Sequence, residues 1–356
     1  MRRFTLRMIP KRWQNALLSW ILRTWYKPPA LVFPWNNPAI KKALIILPED
    51  SVEAFHQINN YLQIASFYRK ASFFLLCTET IGAFFKHIHP EATLHEYDPS
   101  KRFLFSRQMR TLGASFSKEE FDLCVVLEHA PDISMLFLAG QTSALIRAGY
   151  TEAGKFPFLN MHVNLSKKQR YRAEQNSVMA RALGASESIK MRWSVSRETL
   201  EEISHMLNEL QLPSFSRLVG IDAELFYKAF GFDWIEMLCR RLREKEVSFY
   251  LYAGEEPDET TSQFLSQIGF PVFSNLSAPR CAALIMQSAG VVSGKSIFFE
   301  LANMLGKPVI GIFEEKECAV FCRESALTKA VSYSTEPDSS VVEKVILFVN
   351  NLGTMR

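Results

Sequence analysis

Residues 289–313 read AGVVSGKSIFFELANMLGKPVIGIF. Gly290–Ser293 is a short apolar run, which predicts a buried strand, and Gly294 supplies the turn. A helix follows from Ser296 to Leu305, and Pro308 to Phe313 is a second apolar strand. Strand, helix and strand in so few residues predict a parallel βαβ unit. The same residues satisfy a relaxed phosphate-loop pattern, [AG]-x4-GK[ST]. Context excludes an ATPase: Val291 and Val292 are strand residues inside the supposed glycine-rich loop, and only 60 residues follow Ser296. Two readings of Gly294-Lys295-Ser296 stand side by side. In one, backbone N–H groups at a helix start, the Lys295 charge and the Ser296 hydroxyl hold a phosphate. In the other, they are an ordinary glycine turn with a serine cap.

The rhythm extends in both directions. Upstream, Lys42 to Pro48, Ser72 to Cys77, Leu94 to Tyr97 and Phe121 to Leu127 predict strands. Helical spacing covers Glu53 to Arg69, Thr80 to His87 and Met135 to Ala148. The pattern pauses between about residues 165 and 216, where Lys167–Leu183 and Arg197–Leu210 read as helices and Pro213 to Ser216 as a linker. It restarts with strands at Arg217–Ile221 and Val247–Ala253, helices at Trp234–Arg243 and Ala278–Gln287, and a closing helix at Val341–Leu352. The expectation is an α/β chain of two Rossmann-like domains, with a ligand at the carboxyl ends of the two sheets, facing a central cleft. Residues 39–212 form the first domain and 213–356 the second.

Composition bounds the function. The chain has 356 residues, 48% hydrophobic and 22% charged, as a globular protein of about two domains should. Its six cysteines are scattered, mostly in apolar runs, which fits reduced thiols and a cytoplasmic protein. Nine cations and no acid precede Glu49, so a net charge of +4 leaves −5 for the remainder. A mildly acidic body argues against a nucleic-acid partner. Residues 1–38 form a basic arm. On a helix from about Pro10, Trp13, Leu17, Trp20, Ile21 and Trp25 fall near one face, bordered by Lys11, Arg12 and Arg23. The longest apolar run there, Ala16–Leu22, is too short to span a bilayer. Residues 1–27 therefore read as an interfacial helix on an anionic membrane surface, or as a helix docked on the protein's own core, or as a targeting segment.

The segment VVSGKSIFFELANMLGKPVIGIF, residues 291–313, resembles the donor-site segment of glycosyltransferase family nine, the lipopolysaccharide heptosyltransferases. Residues 276–289 resemble that family's preceding helix, KKALIILPEDSVEAF its first strand and acceptor-side loop, and FDLCVVLEH and IRAGY later parts of the same half. The resemblance spans most of residues 41–350. It implies a GT-B fold, a nucleotide-sugar donor (an ADP-sugar), no cofactor, and a lipid-linked glycan acceptor at the inner face of the cytoplasmic membrane. The family motif is changed here. Its Asp, Gly and His fall on Lys295, Ile297 and Glu300, and only Ser296 is retained. In the first loop, Ser51, Val52 and Glu53 stand for the family's Ile-Gly-Asp.

The resemblance thus makes Glu53 the candidate base, with Asp50 the runner-up. Gly294, Lys295, Ser296 and Glu300 fall on the donor segment, and Lys228 on a family lysine that contacts donor phosphate. The ribose-binding acid falls among Glu255, Glu256 and Glu259. The metal-free inverting transfer this implies needs a base at the acceptor hydroxyl and positive groups at the leaving diphosphate. Glu53 also reads as a plain first-turn acid, and Lys228 as a solvated lysine. His87 and His89 lack a third ligand and His129 stands alone, so no metal site is expected. Two functions follow: a glycosyltransferase, or a catalytically inactive binding or scaffold protein of the same fold.

Overall fold

The structure is a computed structural model that describes residues 40–104, 106–151, 157–165, 177–185, 193–212, 218–254, 257–322, 324–334 and 339–352. The basic arm lies outside these residues, as do Glu255 and Glu256. The chain divides at about residue 190 into two compact units.

In the first unit, β1 (Lys42–Ile46), β2 (Ser72–Cys77), β3 (Thr93–Glu96), β4 (Leu123–Val126), β5 (Ile146–Tyr150) and β6 (Met161–Val163) form one parallel sheet. Its order is β3-β2-β1-β4-β5-β6. The central strands are apolar on both faces because both faces are covered, and Ala43–Leu47 and Leu123–Leu127 are buried throughout. The helices are α1 (Ser51–His56), α2 (Ile58–Phe67), α3 (Glu79–Ile88), α4 (Arg107–Lys118), α5 (Ile133–Gln141) and α6 (Val178–Ala182). Asp50, Ser106 and Asp132 cap α1, α4 and α5, each accepting from backbone N–H groups of the first turn.

The second unit repeats the plan. Its strands are β7 (Leu218–Asp222), β8 (Ser248–Tyr252), β9 (Val272–Phe273), β10 (Gly290–Ser293), β11 (Val309–Glu314) and β12 (Thr328–Tyr333). They pair in parallel in the order β12-β11-β10-β7-β8-β9. The helices are α7 (Arg197–Glu209), α8 (Ala223–Phe230), α9 (Phe232–Glu244), α10 (Glu259–Gln267), α11 (Ala278–Met286), α12 (Ile297–Met304), α13 (Glu315–Phe321) and α14 (Ser339–Asn350). A core cluster that includes Ile221, Trp234, Leu238, Phe249, Val292 and Val345 joins the sheet to its helices.

Three sequence expectations are corrected. The helix read from Met135 to Ala148 stops at Gln141, where extended Thr142 turns the chain and donates its hydroxyl to Ala139 O at 2.7 Å. The apolar residues beyond are strand β5, which periodicity alone does not separate from a buried helix. The helix read from Glu53 to Arg69 is two, meeting at Gln57. The domain boundary lies before α7 rather than after it, because α7 packs on α11: Ser204 bonds Gln287 at 3.0 Å, and Gln287 donates to Leu200 O at 2.8 Å. Helices α4, α8 and α10 and strands β6, β9 and β12 add elements the sequence reading left unassigned.

Candidate functional site

Each sheet has one place where the connections leave in opposite directions: between β1 and β4 in the first unit, and between β7 and β10 in the second. Loops diverge at such a switch point and leave a crevice at the strand carboxyl ends. The chemistry-bearing residues of each unit collect there.

At the first switch point, the loop after β1 brings Glu49, Asp50 and Glu53. The loop after β4 brings Glu128, His129 and Asp132. Asp50 caps α1 by accepting from Glu53 N at 2.9 Å. The Glu53 side chain is 16% exposed, and its Oε1 accepts from His129 N at 3.2 Å, so the two loops are tied together. His129 stacks on Tyr150 with ring centroids 4.3 Å apart, and its Nε2 lies 3.2 Å from Gln57 Nε2. Gln57 Oε1 already accepts from Asn60 at 2.7 Å and from the Tyr150 hydroxyl at 3.0 Å. Its amide nitrogen is therefore the group that faces His129 Nε2. Arg102 pairs with Glu49 and, at 3.1 Å, with Asp132.

Glu128 is the most perturbed carboxyl of this loop cluster. Burial first, and then the neighbouring charge of Glu53, push its pKa up to about 7, while Arg102 pulls the other way. Its Oε2 is buried with no hydrogen-bond partner among the described residues. The first switch point therefore holds a carboxyl group that carries its proton up to neutral pH.

At the second switch point, Asp222 ends β7 and is fully buried. It caps α8 by accepting from Leu225 N at 3.3 Å. Its Oδ2 accepts from Ser293 Oγ at 2.7 Å and from Ser296 Oγ at 2.5 Å, and the two hydroxyls are 2.8 Å apart. Burial raises the Asp222 carboxyl, and the Ser296 and Ser293 hydrogen bonds oppose that rise. Ser296 also caps α12, accepting from Phe299 N at 3.4 Å. Gly294 makes the close turn possible, since a Cβ there would stand 2.6 Å from Ile312 O and 2.8 Å from Leu225 Cδ2. The Lys295 ammonium lies 4.9 Å from the centre of the Phe321 ring.

The structure gathers Gly294, Lys295 and Ser296 in one turn, with Glu300 buried in the first turn of α12. Lys228 stands apart from that turn's hydrogen bonds. It pairs with Glu224 at 2.6 Å and Asp258 at 3.3 Å. Those two acids, the first of its causes being the Glu224 hydrogen bond, raise its pKa. Glu259 is exposed at the start of α10. Sequence reading missed Glu128, Asp222 and Arg102. For the first two a signal exists: each is an acid at or just past the carboxyl end of an apolar strand, before a helix. Among the described residues, no group of three His, Cys, Asp or Glu side chains could hold a metal ion, and no helix is long and apolar enough to cross a membrane.

Two parallel Rossmann-like sheets with a polar cluster at each switch point define the GT-B class of fold. Within it, the chain is similar to solved structures of glycosyltransferase family nine, heptosyltransferases included. A family nine glycosyl transferase from Veillonella parvula superposes with a TM-score of 0.69 at 12% identity, over 89% of this chain and 98% of that one. The E. coli ADP-heptose lipopolysaccharide heptosyltransferase II gives 0.69 at 15% identity, over 88% and 98%. The E. coli heptosyltransferase WaaC with ADP gives 0.65 at 14% identity, over 87% and 99%. No protein-family model and no curated protein sequence matches the chain.

Proposed function

We propose that the protein is a glycosyltransferase that moves a sugar, a heptose or hexose, from a nucleotide sugar to a lipid-linked glycan such as lipopolysaccharide core. The observation that carries this reading is the chemistry at the first switch point, where Glu53 is fixed past the carboxyl end of β1 by His129 N. In this reading the first unit takes the acceptor and the second the donor. Glu53 accepts the proton of the acceptor hydroxyl as that oxygen bonds to the anomeric carbon. The bond from that carbon to the diphosphate breaks, its electron pair leaves with the phosphate oxygen, and the configuration inverts. Lys295 and the N–H groups of the Gly294 turn stabilise the leaving diphosphate without a metal. The donor is an ADP-sugar on the strength of the heptosyltransferase likeness, and WaaC is described with ADP. The protein works in the cytoplasm, peripheral to the inner face of the membrane, with residues 1–27 on anionic lipid. Asp50, as the α1 cap, positions Glu53 and is the alternative base.

One observation favours a second reading, a binding or scaffold protein without transferase activity. The Ser296 hydroxyl is committed to the buried Asp222 carboxyl group, so it is taken up by the protein itself at the turn where a diphosphate would bind. Calorimetry with a panel of nucleoside diphosphates separates the two. ADP binding that is lost in Lys295→Ala supports the transferase. No binding by any nucleotide, together with no donor hydrolysis, overturns it.

A further inference from the structure

Helix α4 carries an outward face of one charge sign. Arg107, Arg110, Thr111, Ala114 and Lys118 are exposed at helical spacing, while Met109, Gly113 and Phe116 face the core. With Ser115, these exposed residues line a shallow groove. From Pro99 to Lys118 the chain has five cations and no acid. Arg102 turns inward to Glu49 and Asp132, and Lys101 pairs with Asp98. Arg107, Arg110 and Lys118 have no ion-pair partner among the described residues. On α7 and α9 exposed cations are paired within the helix: Arg197 with Glu201, Arg240 with Glu236 and Arg241 with Glu244. The turn that leads into α4 holds Phe103, 73% exposed, the most exposed large hydrophobic residue described.

We infer that the outer face of α4, with Phe103, is a docking surface for an anionic phospholipid bilayer. Three cations without an ion pair among the described residues and two hydroxyls suit lipid phosphates, and an exposed phenyl ring in the turn before α4 suits the bilayer interface. The surface also borders the first switch point. Phe103 follows Arg102, whose guanidinium holds the Glu49 and Asp132 loops beside Glu53. A bilayer against α4 would present a lipid-linked acceptor to that crevice. This deepens the reading of the acceptor as lipid-linked, and it stands independently of residues 1–27.

The test uses the full chain and vesicles of 30% phosphatidylglycerol in phosphatidylcholine, with sedimentation as the readout. Each cation near an anionic surface contributes about 1 kcal/mol, so Arg107→Gln/Arg110→Gln/Lys118→Gln should lower partitioning about a hundredfold at low salt. Phe103→Ser should lower it about tenfold, and raising the salt should weaken the wild type. Arg107→Lys/Arg110→Lys keeps the charge and should bind like wild type, which separates charge from any loss of fold. Partitioning of the triple variant within twofold of wild type overturns the proposal and leaves residues 1–27 as the anchor. Tighter binding of a single-stranded oligonucleotide than of vesicles, lost in the same variant, overturns it in favour of nucleic acid. ADP calorimetry on the triple variant reads the donor reaction separately, and its result should match wild type.

Discussion

Glu128→Gln should make the protein more stable, and increasingly so as the pH rises. In the folded chain the Glu128 carboxyl is raised from 4.5 to about 7, chiefly by burial, with no partner for its Oε2 among the described residues. In the unfolded chain it ionises at its ordinary value. Between those two values the unfolded state has lost the proton and the folded state has kept it, so stability falls with pH, by about 1.4 kcal/mol per pH unit. The stability associated with the protonated carboxyl is complete below 4.5 and gone once the pH has passed about 7. The accumulated loss is about 3 kcal/mol, an upper figure because local relaxation offsets part of it. Glutamine is neutral throughout and nearly isosteric. The gap in unfolding free energy between variant and wild type should therefore widen from pH 4.5 to 7 and then level off. Urea unfolding of both proteins at half-unit pH steps measures it, and contributions from groups that do not interact with Glu128 cancel in the difference. A gap that does not change with pH, or one that narrows as the pH rises, refutes the argument that Glu128 is buried as the neutral acid.

Glu53→Gln removes the proposed base but keeps its shape; turnover should fall about 10²–10⁴-fold with donor affinity unchanged, in an assay with a lipid-linked acceptor or, failing that, of donor hydrolysis. Normal turnover would transfer the role to Asp50. Lys295→Ala should weaken nucleoside diphosphate binding by about 1–3 kcal/mol in calorimetry, and unchanged affinity would place the diphosphate away from the Gly294 turn. Asp222→Ala strips a cap from α8 and leaves the Ser293 and Ser296 hydroxyls without their shared acceptor; it should cost about 2–4 kcal/mol in urea unfolding. A loss within experimental error would show that the network is not structural.

The sequence by itself determined the alternation of strands and helices and the place of the phosphate-loop look-alike. Apolar runs such as Leu123–Val126 fall on their strands in the structure, because a strand buried on both faces must be apolar throughout. The Gly294-Lys295-Ser296 turn was equally legible, since glycine and a serine cap are local requirements. What only the tertiary structure decided is which residues meet. Asp222 and Ser293 are 71 positions apart, and Glu53 and His129 are 76 apart. They meet because β7 pairs with β10 and β1 with β4, and no local pattern encodes which strands become neighbours. The ionisation of Glu128 belongs to the same class. As a residue type it is an ordinary acid after a strand, and its raised pKa comes from burial and from the charge of Glu53, both products of that pairing.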